Sequence, residues 1–204
     1  MAVLVCLFII GEIMKKHYVS AQQLLQDSFA LAMAVFDSGF KPDFIAGVWR
    51  GGAPVGIAVQ EMLQLLGTPC DHIAIRTSSY TGIGQRGKTV EVHGLSYITQ
   101  RASSGQSVLL VDDVYDTGLS LHSVIDKLQN ACAEQQLDIR VATPYFKPAN
   151  NQTNRTPEYY VHESAQWLVF PHELSGLTVD EIREHKPEVE QYLDKIELSQ
   201  ISAD

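Results

Sequence analysis

Apolar residues Leu24, Leu25, Phe29, Ala32, Met33 and Phe36 recur at helical spacing between Ser20 and Phe36, and Ser20 offers a capping oxygen where the first turn needs one. Gly39 and Pro42 end that helix. The pattern then changes. Phe44 to Trp49 (FIAGVW) is a short unbroken apolar run, which predicts a buried strand, and the turn Arg50-Gly51-Gly52 comes directly after it. Pro54 to Leu66 reads as a helix with Pro54 in its first turn. His72 to Arg76 is another short strand. Thr77 to Gly94 is polar, glycine-punctuated and without a period, so it predicts a long mobile loop of the kind that covers binding sites.

Ser107 to Val111 (SVLLV) is the clearest buried strand, with a helix from Leu119 to Cys132 behind it and a further strand from Ile139 to Tyr145. Ala149 to Pro157 is a loop rich in Asn and Thr. Tyr159 to Val161 and Trp167 to Phe170 read as strands of a smaller lobe. Thr178 and Glu181 have capping-box spacing, and Pro187 divides the remainder into two short helices. Strands alternating with helices imply an α/β fold: a mostly parallel sheet, helices on both faces and a small hood lobe, with residues 14–204 as one domain. Ligands of such sheets bind at the carboxyl ends of the strands, which directs attention to the residues just after Trp49, Arg76, Val111 and Tyr145.

Composition narrows the partners. A chain of 204 residues with 45% hydrophobic and 19% charged residues is that of an ordinary globular protein. Its formal charge of -9 repels a phosphate backbone, and Lys15-Lys16 is the only adjacent basic pair, so nucleic acid is not expected as a partner. Cys6, Cys70 and Cys132 lack metal-ligand spacing and suit a reduced, cytoplasmic protein. Met1 to Ile10 is apolar but too short to span a bilayer and lacks the basic start and cleavage site of a secretory signal. It reads as a strand, a weak membrane contact, or an extension ahead of a start at Met14, and residues 1–13 carry no visible chemistry.

The chemistry gathers at Val108 to Ser120 (VLLVDDVYDTGLS). A buried strand runs into Asp112 and Asp113, a turn carries Asp116, and Thr117-Gly118-Leu119-Ser120 opens a helix. Backbone N–H groups at that helix start, with two hydroxyls beside them, make a cradle for phosphate, and Gly118 permits close approach. Two neighbouring carboxylates repel unless they bind sugar hydroxyls or face a divalent cation. A solvated acidic turn with a Thr cap is the plain alternative, but the full set of thirteen positions is far more specific than a lone Asp-Thr-Gly.

The stretch resembles the binding signature of the type I phosphoribosyltransferases, with Tyr115 a mild departure from the aliphatic residue usual there. The resemblance implies that Asp112 and Asp113 hold the ribose hydroxyls, with Asp113 near magnesium, and that the loop formed by Asp116, Thr117, Gly118, Leu119 and Ser120 binds phosphoribosyl pyrophosphate around its 5-phosphate. Arg50-Gly51-Gly52 resembles the family's pyrophosphate loop, where arginine meets phosphate with a planar fork. Ser79, Tyr80 and Arg86 match the order of the family's flexible cover, which would keep water from an oxocarbenium-like sugar.

Three features then point to a 6-oxopurine. Asp116 stands where relatives using adenine or pyrimidines carry a small residue, and an acid there can accept a proton from purine N7. Lys147-Pro148 after a strand resembles the hypoxanthine-guanine and xanthine-guanine enzymes, in which lysine donates to O6. Trp167 would stack on the purine, Leu168 offer backbone contacts, and Glu173 lie near magnesium or the base. The implied activity is transfer of ribose 5-phosphate from phosphoribosyl pyrophosphate to hypoxanthine, guanine or xanthine, in a magnesium-dependent homodimer or homotetramer. The rivals are an enzyme of the same fold using another base, and a regulatory protein that senses phosphoribosyl pyrophosphate or nucleotide.

Overall fold

The computed structural model describes residues 16–80 and 89–195. The N-terminal segment 1–13 and Arg86 lie outside the described residues. In chain order the elements are β1 (Lys16–Tyr18), α1 (Ala21–Asp37), β2 (Phe44–Trp49), α2 (Gly52–Leu65), β3 (Asp71–Tyr80) and β4 (Thr89–His93). Next come α3 (Ser96–Thr99), β5 (Ser107–Val111), β6 (Val114–Tyr115), α4 (Leu119–Ala131) and β7 (Asp138–Phe146). The chain continues through β8 (Tyr159–Glu163), β9 (Trp167–Val169), α5 (Val179–His185) and α6 (Pro187–Glu190).

Alternation of side chains explains why β2, and β5 after Ser107, are apolar throughout. Ile45, Leu109 and Val111 point toward Leu31 and Val35 of α1 and Val55, Val59 and Leu63 of α2. Phe44, Ala46, Val48, Val108 and Leu110 point the other way, toward Ile98 of α3 and Leu121, Val124, Ile125 and Leu128 of α4. A strand covered on both faces has no polar side to show. The main sheet runs β4-β3-β2-β5-β7, with β6 and β8 also paired to β7, and every pairing is parallel except β3 with β4. Gly47 of β2 and Gly56 of α2 lie back to back, so the helix start sits close on the strand end.

Two expectations need correction. Much of the stretch expected as a long loop from Thr77 is strand: β3 continues to Tyr80 and pairs with β4 from Arg76↔His93 to Tyr80↔Thr89, while residues 81–88 lie outside the described residues. An exposed antiparallel edge needs no apolar face, so its hydroxyl and charged residues hid it. The second concerns Tyr159 to Val161. That strand joins the main sheet beside β7, not the small lobe, since Tyr159 is buried against α1 and bonds Ser38 Oγ at 2.8 Å.

The small lobe is the two-stranded parallel sheet of β1 and β9, backed by α5. Lys16 Nζ and Tyr18 Oη both donate to Glu181 Oε1, at 2.5 and 2.9 Å, and the Tyr18 ring stacks on His185. Glu181 also closes the capping box of α5 with Thr178. The Lys16 hydrogen bond, then those from Thr178 and Tyr18, hold its carboxyl down at about 2 from 4.5. A depressed carboxyl stabilises the fold fully above the unfolded value and loses that contribution as pH falls through the folded one. Glu181→Gln keeps the cap but not the charge. Its melting temperature is therefore expected to lie below wild type at pH 7, the gap closing between pH 4.5 and about 2. An unchanging gap across that window counts against the Lys16–Glu181 pair as the link.

Among the described residues, no helix is long and apolar enough to cross a membrane.

Candidate active site

The acidic pair lies at a break in the ladder. β5 and β6 flank the same edge of β7 in one register, Val111↔Ala142 and Val114↔Tyr145, so Asp112 and Asp113 face Thr143 and Pro144. Pro144 has no N–H to give, and neither β6 nor β8 pairs with it. Asp112 N–H still donates to Ala142 O at 3.2 Å, and beyond it the strand leaves its partner until Val114. Asp113 N–H donates to Asp112 Oδ1 at 3.0 Å.

The Arg50-Gly51-Gly52 turn closes over this pair, through a cis Trp49–Arg50 peptide. A Cβ on Gly51 would overlap the Asp113 carboxylate, and one on Gly52 would overlap the Val111 carbonyl oxygen and Asp112 Cα. Only glycines let two chain segments meet this closely. Arg50 is exposed beside them. Burial, and next the charge of Asp113, push the Asp112 carboxyl well above the usual range, while the Asp113 and Gly52 amides oppose the rise. Asp113 Oδ2 meets His172 Nε2 at 3.2 Å, and the imidazole lies parallel to the Phe170 ring. Sequence reasoning missed His172: the chain has seven histidines, and only its nearness to Trp167–Phe170 sets this one apart.

Beyond the pair the chain wraps a cleft of about 90 Å³ lined by Asp112, Val114, Tyr115, Asp116, Thr117, Gly118, Ser120 and Leu121. Gly118 is doubly required. Its φ is 76°, and a Cβ there would run into the Tyr115 ring. Tyr115 is buried beneath the cradle, its hydroxyl 2.8 Å from Thr153 Oγ1 and its ring edge-on to Phe146. The aromatic departure at this position thus ties the cradle to the 148–157 loop. α4 begins at Leu119, which is exposed, and the Leu119 N–H reaches Thr117 Oγ1 at 3.4 Å.

Asp116 bridges to the end of β7. Lys147 Nζ donates to its Oδ2 at 3.1 Å and Asn150 Nδ2 to its Oδ1 at 2.7 Å, with Lys147 buried and Asp116 two-fifths exposed. Asn150 was also missed, hidden in a loop rich in such residues. Trp167 is 53% exposed on β9, whereas Leu168 beside it is buried. Glu173 is folded back on its own turn, its Oε2 accepting from Phe170 N–H at 3.0 Å. Ser79 and Tyr80 end β3, opposite Val90 and Thr89.

Residues 15–176 match the model of the phosphoribosyl transferase domain family. The chain belongs to the phosphoribosyl transferase domain family. It is 31% identical over 162 residues to a xanthine-guanine phosphoribosyltransferase of Desulfotalea psychrophila, covering 77% of this chain and 86% of the relative. It is 30% identical over 130 residues to a hypoxanthine-guanine phosphoribosyltransferase of Saccharomyces cerevisiae, covering 59% of this chain and 58% of that one. A purine phosphoribosyltransferase structure from Pyrococcus horikoshii superposes with a TM-score of 0.61 at 30% identity, over 80% of this chain and 97% of that chain.

For a phosphoribosyltransferase the placement is informative. Arg50, Gly51, Asp112, Asp113, Asp116, Thr117, Gly118 and Ser120 gather at the carboxyl ends of β2 and β5, while Lys147 closes the site from β7.

Proposed function

We propose that this enzyme transfers ribose 5-phosphate from phosphoribosyl pyrophosphate to a 6-oxopurine (hypoxanthine, guanine or xanthine), with release of pyrophosphate, as in purine salvage. The observation that carries the reading is the Asp116–Lys147 pair at the mouth of the phosphate cradle. An acceptor and a donor held 3.1 Å apart match the edge of a 6-oxopurine, whose N7 carries a proton and whose O6 accepts one hydrogen bond. Adenine offers an amino group at the second place, a donor facing the buried Lys147 donor, and so forfeits that hydrogen bond.

Thr117, Gly118, Leu119 and Ser120 would take the 5-phosphate at the start of α4, Asp112 and Asp113 the ribose hydroxyls, and Arg50 and Gly51 the pyrophosphate. Ser79, Tyr80 and Arg86 would cover the sugar, and Trp167, Leu168 and Glu173 would bound the base. Magnesium suits this donor set. Asp112 and Asp113 oppose each other's charge at a strand end, and no group of three or more metal-ligating side chains forms among the described residues, so the ion would share Asp113 with the substrate's own oxygens. When bound, magnesium would neutralise the departing pyrophosphate. A cytoplasmic homodimer or homotetramer acting on small molecules, with no nucleic-acid or membrane partner, completes the proposal.

Pyrophosphate release with magnesium and one base per reaction tests it. Turnover is expected with 6-oxopurines and not with adenine, orotate or uracil. In Lys147→Met the preference for hypoxanthine over adenine should shrink by roughly 10-fold or more. Wild-type turnover of adenine, or of no base at all, overturns the reading.

A further inference from the structure

Asp116 is gripped by a single turn of chain. Its two donors, Lys147 Nζ and Asn150 Nδ2, stand at the two ends of the 3-10 turn Pro148–Asn150, which closes with Asn150 N–H on the Lys147 carbonyl at 3.1 Å. That turn is fixed to the Asp116 loop by backbone. Lys147 N–H donates to Tyr115 O at 2.9 Å and Gln152 N–H to Thr117 O at 3.0 Å, and the Tyr115–Thr153 hydroxyl contact backs both. The carboxylate and its donors form one clamp rather than three independent side chains.

The donors are unequal. Lys147 is buried and cationic, whereas Asn150 is exposed and neutral. When a base enters, Lys147 divides its three N–H donors between Asp116 and the purine O6, whereas Asn150 stays wholly on Asp116 and is the donor that fixes its plane. The terminal torsion of an aspartate is soft, so an unheld carboxylate swings through a wide arc.

We infer that Asn150 is a positioning residue for the transfer, its amide keeping Asp116 in the plane that meets purine N7 while Lys147 is shared with the base. The inference rests on the 6-oxopurine reading of the site. In that step a bond forms from purine N9 to C1 of the ribose, and the bond from C1 to the pyrophosphate oxygen breaks, its electron pair leaving with pyrophosphate. The N7 proton passes to Asp116. A neutral donor suits the task, since an acid at 150 would repel the carboxylate and a second cation would weaken it as a proton acceptor.

Steady-state kinetics with hypoxanthine and phosphoribosyl pyrophosphate, alongside thermal melting, tests this on wild type, Asn150→Ala and Asn150→Asp. Asn150→Ala is expected to lose about 10-fold in kcat, with KM for phosphoribosyl pyrophosphate and the melting temperature unchanged. Asn150→Asp, equal in shape but reversed from donor to acceptor, should lose roughly 100-fold. Adding Asn150→Ala to an Asp116→Asn enzyme should cost nothing further, because the group it positions is already gone. Equal losses in the alanine and aspartate variants, a kcat within twofold of wild type, or full additivity with Asp116→Asn each overturn the inference. Wild-type turnover of hypoxanthine alongside such a result leaves the 6-oxopurine reading standing, whereas wild type inactive on every 6-oxopurine removes both.

Discussion

Asp116→Asn is expected to lower kcat for hypoxanthine by about 10²- to 10⁴-fold while leaving the binding of phosphoribosyl pyrophosphate within a few-fold of wild type. The substitution keeps the size of the side chain and one acceptor oxygen, so Lys147 still finds a partner in the cradle. An amide cannot take the N7 proton, however, and the buried ammonium of Lys147 loses its counter-charge. Both changes act as the base reacts, whereas the 5-phosphate and pyrophosphate are met by other groups. Single-turnover kinetics separate the two, with binding read by fluorescence titration or calorimetry and chemistry by quenched flow. A loss in affinity for phosphoribosyl pyrophosphate equal to the loss in kcat would make Asp116 a sugar-phosphate ligand rather than a proton acceptor.

How much of this was legible in the sequence depended on the periodicity available. β2 and β5 are covered on both faces and read as apolar runs, broken only by Ser107 at the start of β5, and their bounds came out as Phe44–Trp49 and Ser107–Val111 both by pattern and in the structure. The edge hairpin of β3 and β4 faces solvent, so its composition imitates a loop. β6 is only Val114–Tyr115, and β1 is Lys16–Tyr18 with a polar start; neither has an apolar run to find, unlike the equally short Trp167–Val169. The phosphate cradle was legible because its demands are local. A glycine at positive φ, two hydroxyls and three acids must occur within nine consecutive residues.

What the sequence could not reveal is the traffic between distant segments. His172 meets Asp113 from 59 positions away, and Asn150 meets Asp116 from 34. Nothing in the local pattern of either residue distinguishes it from its neighbours. Pro144 is a further case, because only the register shows that it falls opposite Asp113, where β7 has no N–H to offer.

The glycine pair after β2 gives a separation of function from folding that two neighbouring substitutions can expose. In Gly51→Ala the added methyl collides with the Asp113 side chain, which can swing aside only by leaving His172. In Gly52→Ala the methyl collides with the backbone of Val111 and Asp112 in the central strand, which cannot swing at all. The first variant should keep a melting temperature within a few degrees of wild type and lose roughly 100-fold in kcat/KM for phosphoribosyl pyrophosphate, since a carboxylate displaced by about 1 Å no longer meets the ribose. The second should lose about 3 kcal/mol of stability, because an overpacked strand and helix start must part. Thermal melts and steady-state kinetics on the same preparations read both. A Gly51→Ala enzyme with full activity would mean that the Asp113 position is dispensable, and with it the role proposed for Asp113 at the ribose and the ion. A Gly52→Ala enzyme as stable as wild type would mean that the contact between the turn and the strand end is looser than its geometry requires.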